Sequence, residues 1–379
     1  MSIEPNLFTL QSTPNVAAGW DDHTMDFVLN LEVLRDCAHA CPGCFVNRRN
    51  DINDVDLDAA LTLAHNMNER GLRFREVIIS PTDIFSASNA VEVLDNPKFQ
   101  ELLSIHPKTR ITTTAMFHKV DQEQWDAVFA ILDDPSKYRS DMIIELLVPL
   151  DVDLLLSGDE QYYKDFSKAL HYLKHETPKV VDWSFAVNVH HDVDMITHYD
   201  KITQIVREQF DTIIEFLPSF FRTGNDKLIS AHLDVWKEFL RATISEANYK
   251  DIMLTIADQS HNVMNTIVVN YKKNKMFISP FIYEQILFDY PSMETGTTVD
   301  EVMDTNHRLI AEQFAYVTKT DECTTCHYLP TCVGRNVLSF MEAKDITECV
   351  YPKEILDLYN TSTTPSTTAR IKRCADNNK

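Results

Sequence analysis

The chain is short of several things. Among its 379 residues there is no stretch of 18 uncharged apolar residues, which excludes a membrane-spanning helix of ordinary length. Lys and Arg number 35 against 57 Asp and Glu, and no basic run stands out. The resulting net charge of −22 repels phosphate backbones, so nucleic acid is not an expected partner. The opening residues, MSIEPNLFTLQSTPN, lack the basic start and apolar core of a secretory signal. These absences predict a cytoplasmic protein with reduced thiols. No two glycines are adjacent anywhere, and no internal repeat is visible. Cysteine is scarce as well, but its eight copies are grouped: 37, 41 and 44; then 323, 326, 332 and 349; then Cys374 alone. In a reducing compartment such groups read as metal sites before disulfides.

What is present has a regular order. The length fits two domains, or one barrel plus an extension. Phe27, Leu29, Leu31 and Val33 alternate with other residues, a strand signal. Residues 76–80, 110–117, 142–150, 181–189 and 212–218 read as five more strands. Helical spacing recurs between strands, as at Leu57, Ala60, Leu61, Ala64 and Met67, at Phe166, Ala169, Leu170 and Leu173, and at Ile202, Ile205 and Val206. Six strand–helix units in a row predict an α/β fold with a parallel sheet, a partial (β/α)6 barrel over residues 25–222. The active site is then expected at the C-terminal strand ends.

Within 181–189 one face is apolar (Val181, Trp183, Phe185, Val187, Val189) and the other mixed (Asp182, Ser184, Ala186, Asn188). The apolar face should meet outer helices, which turns the mixed face inward. Glu145 and Glu215 each stand alone in an apolar strand. Each is either a buried acid with a structural partner or a candidate catalytic acid or base. After residue 223 the pattern changes: a helix (226–242), a hairpin over 266–283 and a helix-like stretch (299–317) lead to the second cysteine group. Residues 1–24 form a leading segment, 223–359 a small second domain, and 360–379 a polar, Thr-rich tail expected to be disordered.

The first cysteine group, CAHACPGC at 37–44, has C-x3-C-x2-C spacing directly after the first strand. Three thiolates can hold a cubane iron–sulfur cluster through three irons and leave the fourth open. A three-ligand zinc site is the competing reading, with His39 inside the motif. This motif, placed so in a partial barrel, resembles the radical S-adenosylmethionine enzymes. The resemblance implies that Cys37, Cys41 and Cys44 bind a [4Fe-4S] cluster whose open iron chelates S-adenosylmethionine. It further implies reductive cleavage to a 5′-deoxyadenosyl radical that abstracts a substrate hydrogen, with electrons from a donor such as flavodoxin or ferredoxin.

The chain departs from that family's habits. Gly43 precedes the third cysteine where an aromatic residue is frequent, and Phe45 follows it. The Gly-Gly-Glu stretch expected after the second strand is replaced by Ser80-Pro81-Thr82-Asp83. Ser80, Thr82 and Asp83 offer oxygen ligands for an ammonium group, or a helix cap. Asp151, in PLD, resembles the end of a Ser-Leu-Asp-Gly stretch of related enzymes, and Asn188 matches an Asn often found after the fifth strand. His190, His191 and Asp192 read as a solvated loop.

The second group, CTTCHYLPTC followed by Cys349, suits zinc or [4Fe-4S] on spacing alone. It resembles the SPASM domain of these enzymes and its one-cluster relative, the twitch domain. Where that pattern has a fourth cysteine in the run, this chain has Asn336, and the hairpin has none. The resemblance therefore implies one auxiliary [4Fe-4S] cluster on Cys323, Cys326, Cys332 and Cys349, with Cys374 a free thiol. The expected activity is modification of a ribosomally made peptide by cross-linking, epimerisation or oxidation. The alternatives are a small-molecule dehydrogenase acting on a cyclitol or sugar, and a zinc-stabilised or electron-carrying binding protein. Only about 24 residues precede the first strand, which weighs against an extra peptide-recognition domain.

Overall fold

The structure, a computed structural model, describes residues 26–36, 55–106, 109–117, 121–189, 194–210, 214–218, 226–243, 266–272, 275–279, 293–294 and 298–305. Both cysteine groups, Cys374, Asn336, residues 190–192 and the two terminal segments lie outside these residues.

Strand and helix alternate along the first two thirds of the chain. The order is β1 (Asp26–Glu32), α1 (Leu57–Glu69), β2 (Arg73–Asp83), α2 (Ala90–Leu94), α3 (Pro97–Ser104), β3 (Arg110–Thr114), α4 (Gln122–Leu132) and β4 (Ile143–Pro149). Then come α5 (Val152–Ser157), α6 (Glu160–His175), β5 (Val180–Val189), α7 (Met195–Phe210), β6 (Ile214–Pro218) and α8 (Asp226–Thr243). Three strands follow: β7 (Thr266–Lys272), β8 (Lys275–Ser279) and β9 (Met293–Glu294).

The first six strands lie side by side in sequence order and pair in parallel, as the alternation predicts. The expected hairpin is present as β7 and β8, paired antiparallel. Its first strand docks in parallel on the free edge of β1, so one nine-stranded sheet runs β6-β5-β4-β3-β2-β1-β7-β8-β9. The described sheet does not close: β6 and β9 are its edges. The helix after residue 223, α8, packs on β5 and β6, where Phe239 meets Phe216 and Tyr199.

One face of the parallel sheet is apolar and covered by helices. Phe27, Leu29, Leu31, Val77, Ile79, Ile111, Ile144, Leu146, Val148, Phe185 and Val187 join helix residues such as Met67, Leu103 and Phe166 in one buried core. Aromatic rings bind strands to helices there: Phe85 stacks on Trp125 at 4.2 Å, and Phe117 contacts Phe166 and Phe185. Burying each such side chain contributes about 1.5–3 kcal/mol.

The helices begin where short polar side chains take over the first free N–H groups. Asp56 accepts from Ala59, Asn96 from Lys98, Asp121 from Glu123, and Asp159 from Tyr162. In the first helix, the chain leaves through Gly71 at a φ of 74°, a left-handed position that glycine adopts without a Cβ clash.

The opposite, inner face is mixed. It carries Val28, Asn30 and Glu32 on β1, and Glu76, Ile78 and Ser80 on β2. Arg110, Thr112 and Thr114 follow on β3, Glu145 and Leu147 on β4, and Asp182 on β5. Val28 and Ile78 form a small apolar pair apart from the main core.

Candidate active site

The inner face has a floor and a rim. The floor lies toward the N-terminal strand ends. There Arg110 reaches Glu76 on one neighbouring strand at 3.3 Å and Glu145 on the other at 2.8 Å. Burial works against the guanidinium charge, but Glu76, Glu145 and then Asp182 outweigh it and hold its pKa above the usual value. Glu145, expected either to have a structural partner or to act as an acid or base, thus sits in an ion pair, in register with Thr112 and through it with Ile78, below the level of Ser80.

The rim lies at the C-terminal ends of β1 and β2, about 13 Å beyond Glu76 at 3.3 Å per residue. Glu32 ends β1 and registers with Ser80. Both are buried, at 6% and 3% exposure, as is Asn30 at 0%. The Ser80 hydroxyl donates to Asn30 Oδ1 at 2.8 Å. Between Ile79 and Asp83, β2 holds three extra residues against consecutive Thr113 and Thr114 on β3. Ser80, Pro81 and Thr82 therefore bulge out of the ladder with β3, while Ser80 keeps its register with Glu32 on β1; the Ser80–Pro81 peptide is cis. Bulges of this kind re-aim side chains beside functional sites. Thr82 is 4% exposed, and its hydroxyl has no hydrogen-bond partner among the described residues. The Thr112 hydroxyl, in register with Glu145, is in the same condition. A buried hydroxyl without a partner is costly.

Asp83 does not cap a helix. Its Oδ1 accepts from Phe85 N–H at 2.9 Å, and its carbonyl accepts from Ser86 and Ala87. This builds a tight turn, with the next helix starting only at Ala90. Asp151 does cap one: its Oδ1 accepts from Leu154 N–H at 3.0 Å at the start of α5. Asn188 stands near the end of β5, registered with Leu217, and Glu215 pairs with Ala186. Ser80, Thr82 and Asp83 are thus brought together at one rim, with Asn188 and Asp151 at the C-terminal ends of β5 and β4, while Glu145 lies on the floor.

Sequence reasoning passed over Glu32, Asn30 and Arg110. The signal for the first two was present, since Val28, Asn30 and Glu32 alternate with Phe27, Leu29 and Leu31.

The exit of β1 is held closely. Leu34 N–H donates to the Ser80 carbonyl at 3.0 Å. Arg35 N–H donates to Asn89 Oδ1 at 2.7 Å, and Asn89 Nδ2 donates to the Val33 carbonyl at 2.8 Å. Asp36, immediately before Cys37, has a φ of 57°, a left-handed conformation that aspartate tolerates better than most residues.

The fold has close counterparts among solved structures. SuiB of Streptococcus suis bound to S-adenosylmethionine superposes with a TM-score of 0.50 over 86% of this chain and 77% of its own, at 12% identity. The protein anSMEcpe with bound S-adenosylmethionine gives a TM-score of 0.54 over 93% of this chain and 100% of its own, at 14% identity. The fold is that of the radical S-adenosylmethionine SPASM enzymes. A second anSMEcpe structure, holding S-adenosylmethionine and a Kp18Cys peptide, matches with a TM-score of 0.51 over 89% of this chain and 100% of its own, at 13% identity. No family model and no curated protein sequence matches the chain. Among the described residues, no helix is long and apolar enough to cross a membrane. The first described stretch of the chain ends four residues after β1, at Asp36, immediately before the three-thiol motif in sequence.

Proposed function

We propose that the chain is a radical S-adenosylmethionine enzyme that modifies a peptide, with Cys37, Cys41 and Cys44 holding its reactive [4Fe-4S] cluster. The observation that carries this reading is the position of the motif. A C-x3-C-x2-C triplet leaves the first strand of a six-stranded parallel sheet at the rim where Ser80-Pro81-Thr82 bulges. When bound, the cluster supplies one electron to cleave S-adenosylmethionine into methionine and a 5′-deoxyadenosyl radical, which takes a hydrogen atom from substrate.

The chain's own residues have narrower tasks. Ser80, Thr82 and Asp83 line the end of β2, and the buried Thr82 hydroxyl is the group most ready to accept from the cofactor's ammonium. Asp151 and Asn188, near the ends of β4 and β5, are proposed to line the same rim from the opposite side. The helices over the outer face keep water from the sheet, while the floor ion pairs hold the inner face in shape. Glu215 remains the proposed acid–base candidate, since Glu145 is engaged by Arg110. A low-potential donor such as flavodoxin or ferredoxin supplies the electron.

Support for a peptide substrate comes from the shared fold: one counterpart structure holds a peptide beside S-adenosylmethionine. The second cysteine group, Cys323, Cys326, Cys332 and Cys349, is proposed to hold one fully ligated auxiliary [4Fe-4S] cluster. That single-cluster count also favours a second reading, a dehydrogenase acting on a cyclitol or sugar. Offering short peptides and cyclitols to the reduced enzyme decides between them. Peptide mass change with 5′-deoxyadenosine formation supports the first reading. Turnover of a cyclitol alone replaces it with the second.

A further inference from the structure

The geometry points to Asn89 as a positioning residue that sets how the chain enters the cysteine triplet, an inference that rests on the reading of Cys37, Cys41 and Cys44 as cluster ligands. Asn89 stands at the N-cap of α2, yet its side chain makes no capping bond there. An asparagine in that place ordinarily accepts from its own helix. Here both ends of the amide are turned to a segment 54 and 56 residues earlier: Oδ1 accepts from Arg35 N–H, and Nδ2 donates to the Val33 carbonyl. Asn89 is 8% exposed, so neither bond is readily replaced by water.

Ser88 completes the grip. Its N–H donates to the Arg35 carbonyl at 3.1 Å, and its hydroxyl donates to Asp36 Oδ2 at 2.6 Å. Two adjacent residues thus make four hydrogen bonds to residues 33–36. The gripping segment is itself anchored through Ala87, the residue before Ser88. Ala87 N–H donates to the Asp83 carbonyl at 2.9 Å, and Gln124 on α4 donates to the Ala87 carbonyl at 3.2 Å.

The physical effect is specific. A chain leaving a strand in open loop samples many directions, and fixing a residue's backbone costs about 1–2 kcal/mol of conformational entropy. The clamp meets that cost in the folded apoprotein, before any metal arrives. It also holds Asp36 in its left-handed conformation, which turns the backbone at the residue before Cys37. The rim turn built on Asp83 and the entry to the cysteines become one rigid unit. Residues 33–36, the entry to the cysteines, and the bulged Ser80-Pro81-Thr82 segment then keep a constant relation.

The test uses full-length protein with three forms: wild type, Asn89→Ala and Asn89→Ser. Serine restores a helix cap but cannot span both Val33 and Arg35. The first readout needs no cofactor: amide hydrogen exchange over residues 33–36 in the apoprotein. Exchange at Arg35 is expected to quicken about 2- to 10-fold in both variants, the scale of one net hydrogen bond. The second readout is iron retention and the electron paramagnetic resonance signal of the reduced cluster, with and without S-adenosylmethionine. Weakening of iron affinity by about 10- to 100-fold, with a changed response to S-adenosylmethionine, is expected in both variants.

Unchanged exchange in Asn89→Ala overturns the clamp. Quickened exchange with wild-type iron retention and spectrum overturns the positioning role. Full recovery in Asn89→Ser also overturns it, because capping alone then suffices. A wild-type protein that holds no iron defeats the reading of the cysteines and, with it, the positioning role, while exchange still scores the clamp. Where Asn89→Ala fails to fold, Ser88→Ala at its exposed position removes one bond and should move both readouts in the same direction, less far.

Discussion

The floor and the rim of the inner sheet face share one surface and differ in how their polar groups are satisfied. On the floor, Arg110 is shared between Glu76 and Glu145 with Asp182 nearby, so the charges answer one another. At the rim, Ser80 binds Asn30, Asp83 is spent on a turn, and Thr82 is buried with its hydroxyl unused among the described residues. The floor is held by charge pairing, although Arg110 Nε makes no hydrogen bond among the described residues, whereas Thr82 at the rim has neither charge nor hydrogen-bond partner there. The difference teaches that a polar inner face is not evidence of a site everywhere along its height.

That comparison can be broken at several points. The largest effect is expected from Arg110→Ala, which leaves Glu76 and Glu145 facing each other without their cation. A loss of about 3 kcal/mol follows, near the lower end for a broken buried pair because Arg110 is partly exposed. Denaturant unfolding measures it; a loss below a few tenths would show that the floor is not structural. Glu145→Gln keeps the shape and removes one charge, so about 1.5 kcal/mol is expected. Lost substrate turnover with unchanged stability would return Glu145 to the catalytic candidates. The smallest stability effect belongs to Thr82→Val, within about 1 kcal/mol of wild type or slightly stabilising, since no partner is abandoned. Its S-adenosylmethionine affinity, read by calorimetry, should instead weaken about fivefold, one hydrogen bond's worth. Equal losses of stability from Thr82→Val and Arg110→Ala would collapse the distinction between floor and rim.

Much of this was legible in the sequence, for identifiable reasons. The six parallel strands show because their outer residues repeat with period two, as at Phe27, Leu29 and Leu31. The mixed face of 181–189 pointed inward for the same reason, and Asp182 does lie on the inner face with Glu145. The hairpin was legible, but its docking on β1 was not, because a hairpin pattern carries no information about which free edge it meets. The short helices α2 and α3 escaped notice because neither spans enough turns to print a period. Glu145 was singled out without Arg110, since that pairing depends on strand register rather than sequence distance. The Asn89 clamp was invisible for the same cause: an asparagine before a helix looks like a cap, and only the fold shows that its amide serves Val33 and Arg35 instead.

The proposed function requires Cys37, Cys41 and Cys44 to hold an iron–sulfur cluster that leaves one iron open to S-adenosylmethionine. The direct measurement is 5′-deoxyadenosine formation by anaerobically purified, chemically reduced protein, with iron counted in the same sample. The account predicts about eight irons in the wild type and about four when Cys37, Cys41 and Cys44 are changed to Ala. It also predicts nucleoside formation only in the wild type. Cleavage that persists in the triple variant, or a wild type that binds iron and cleaves nothing under strong reductant, would contradict it.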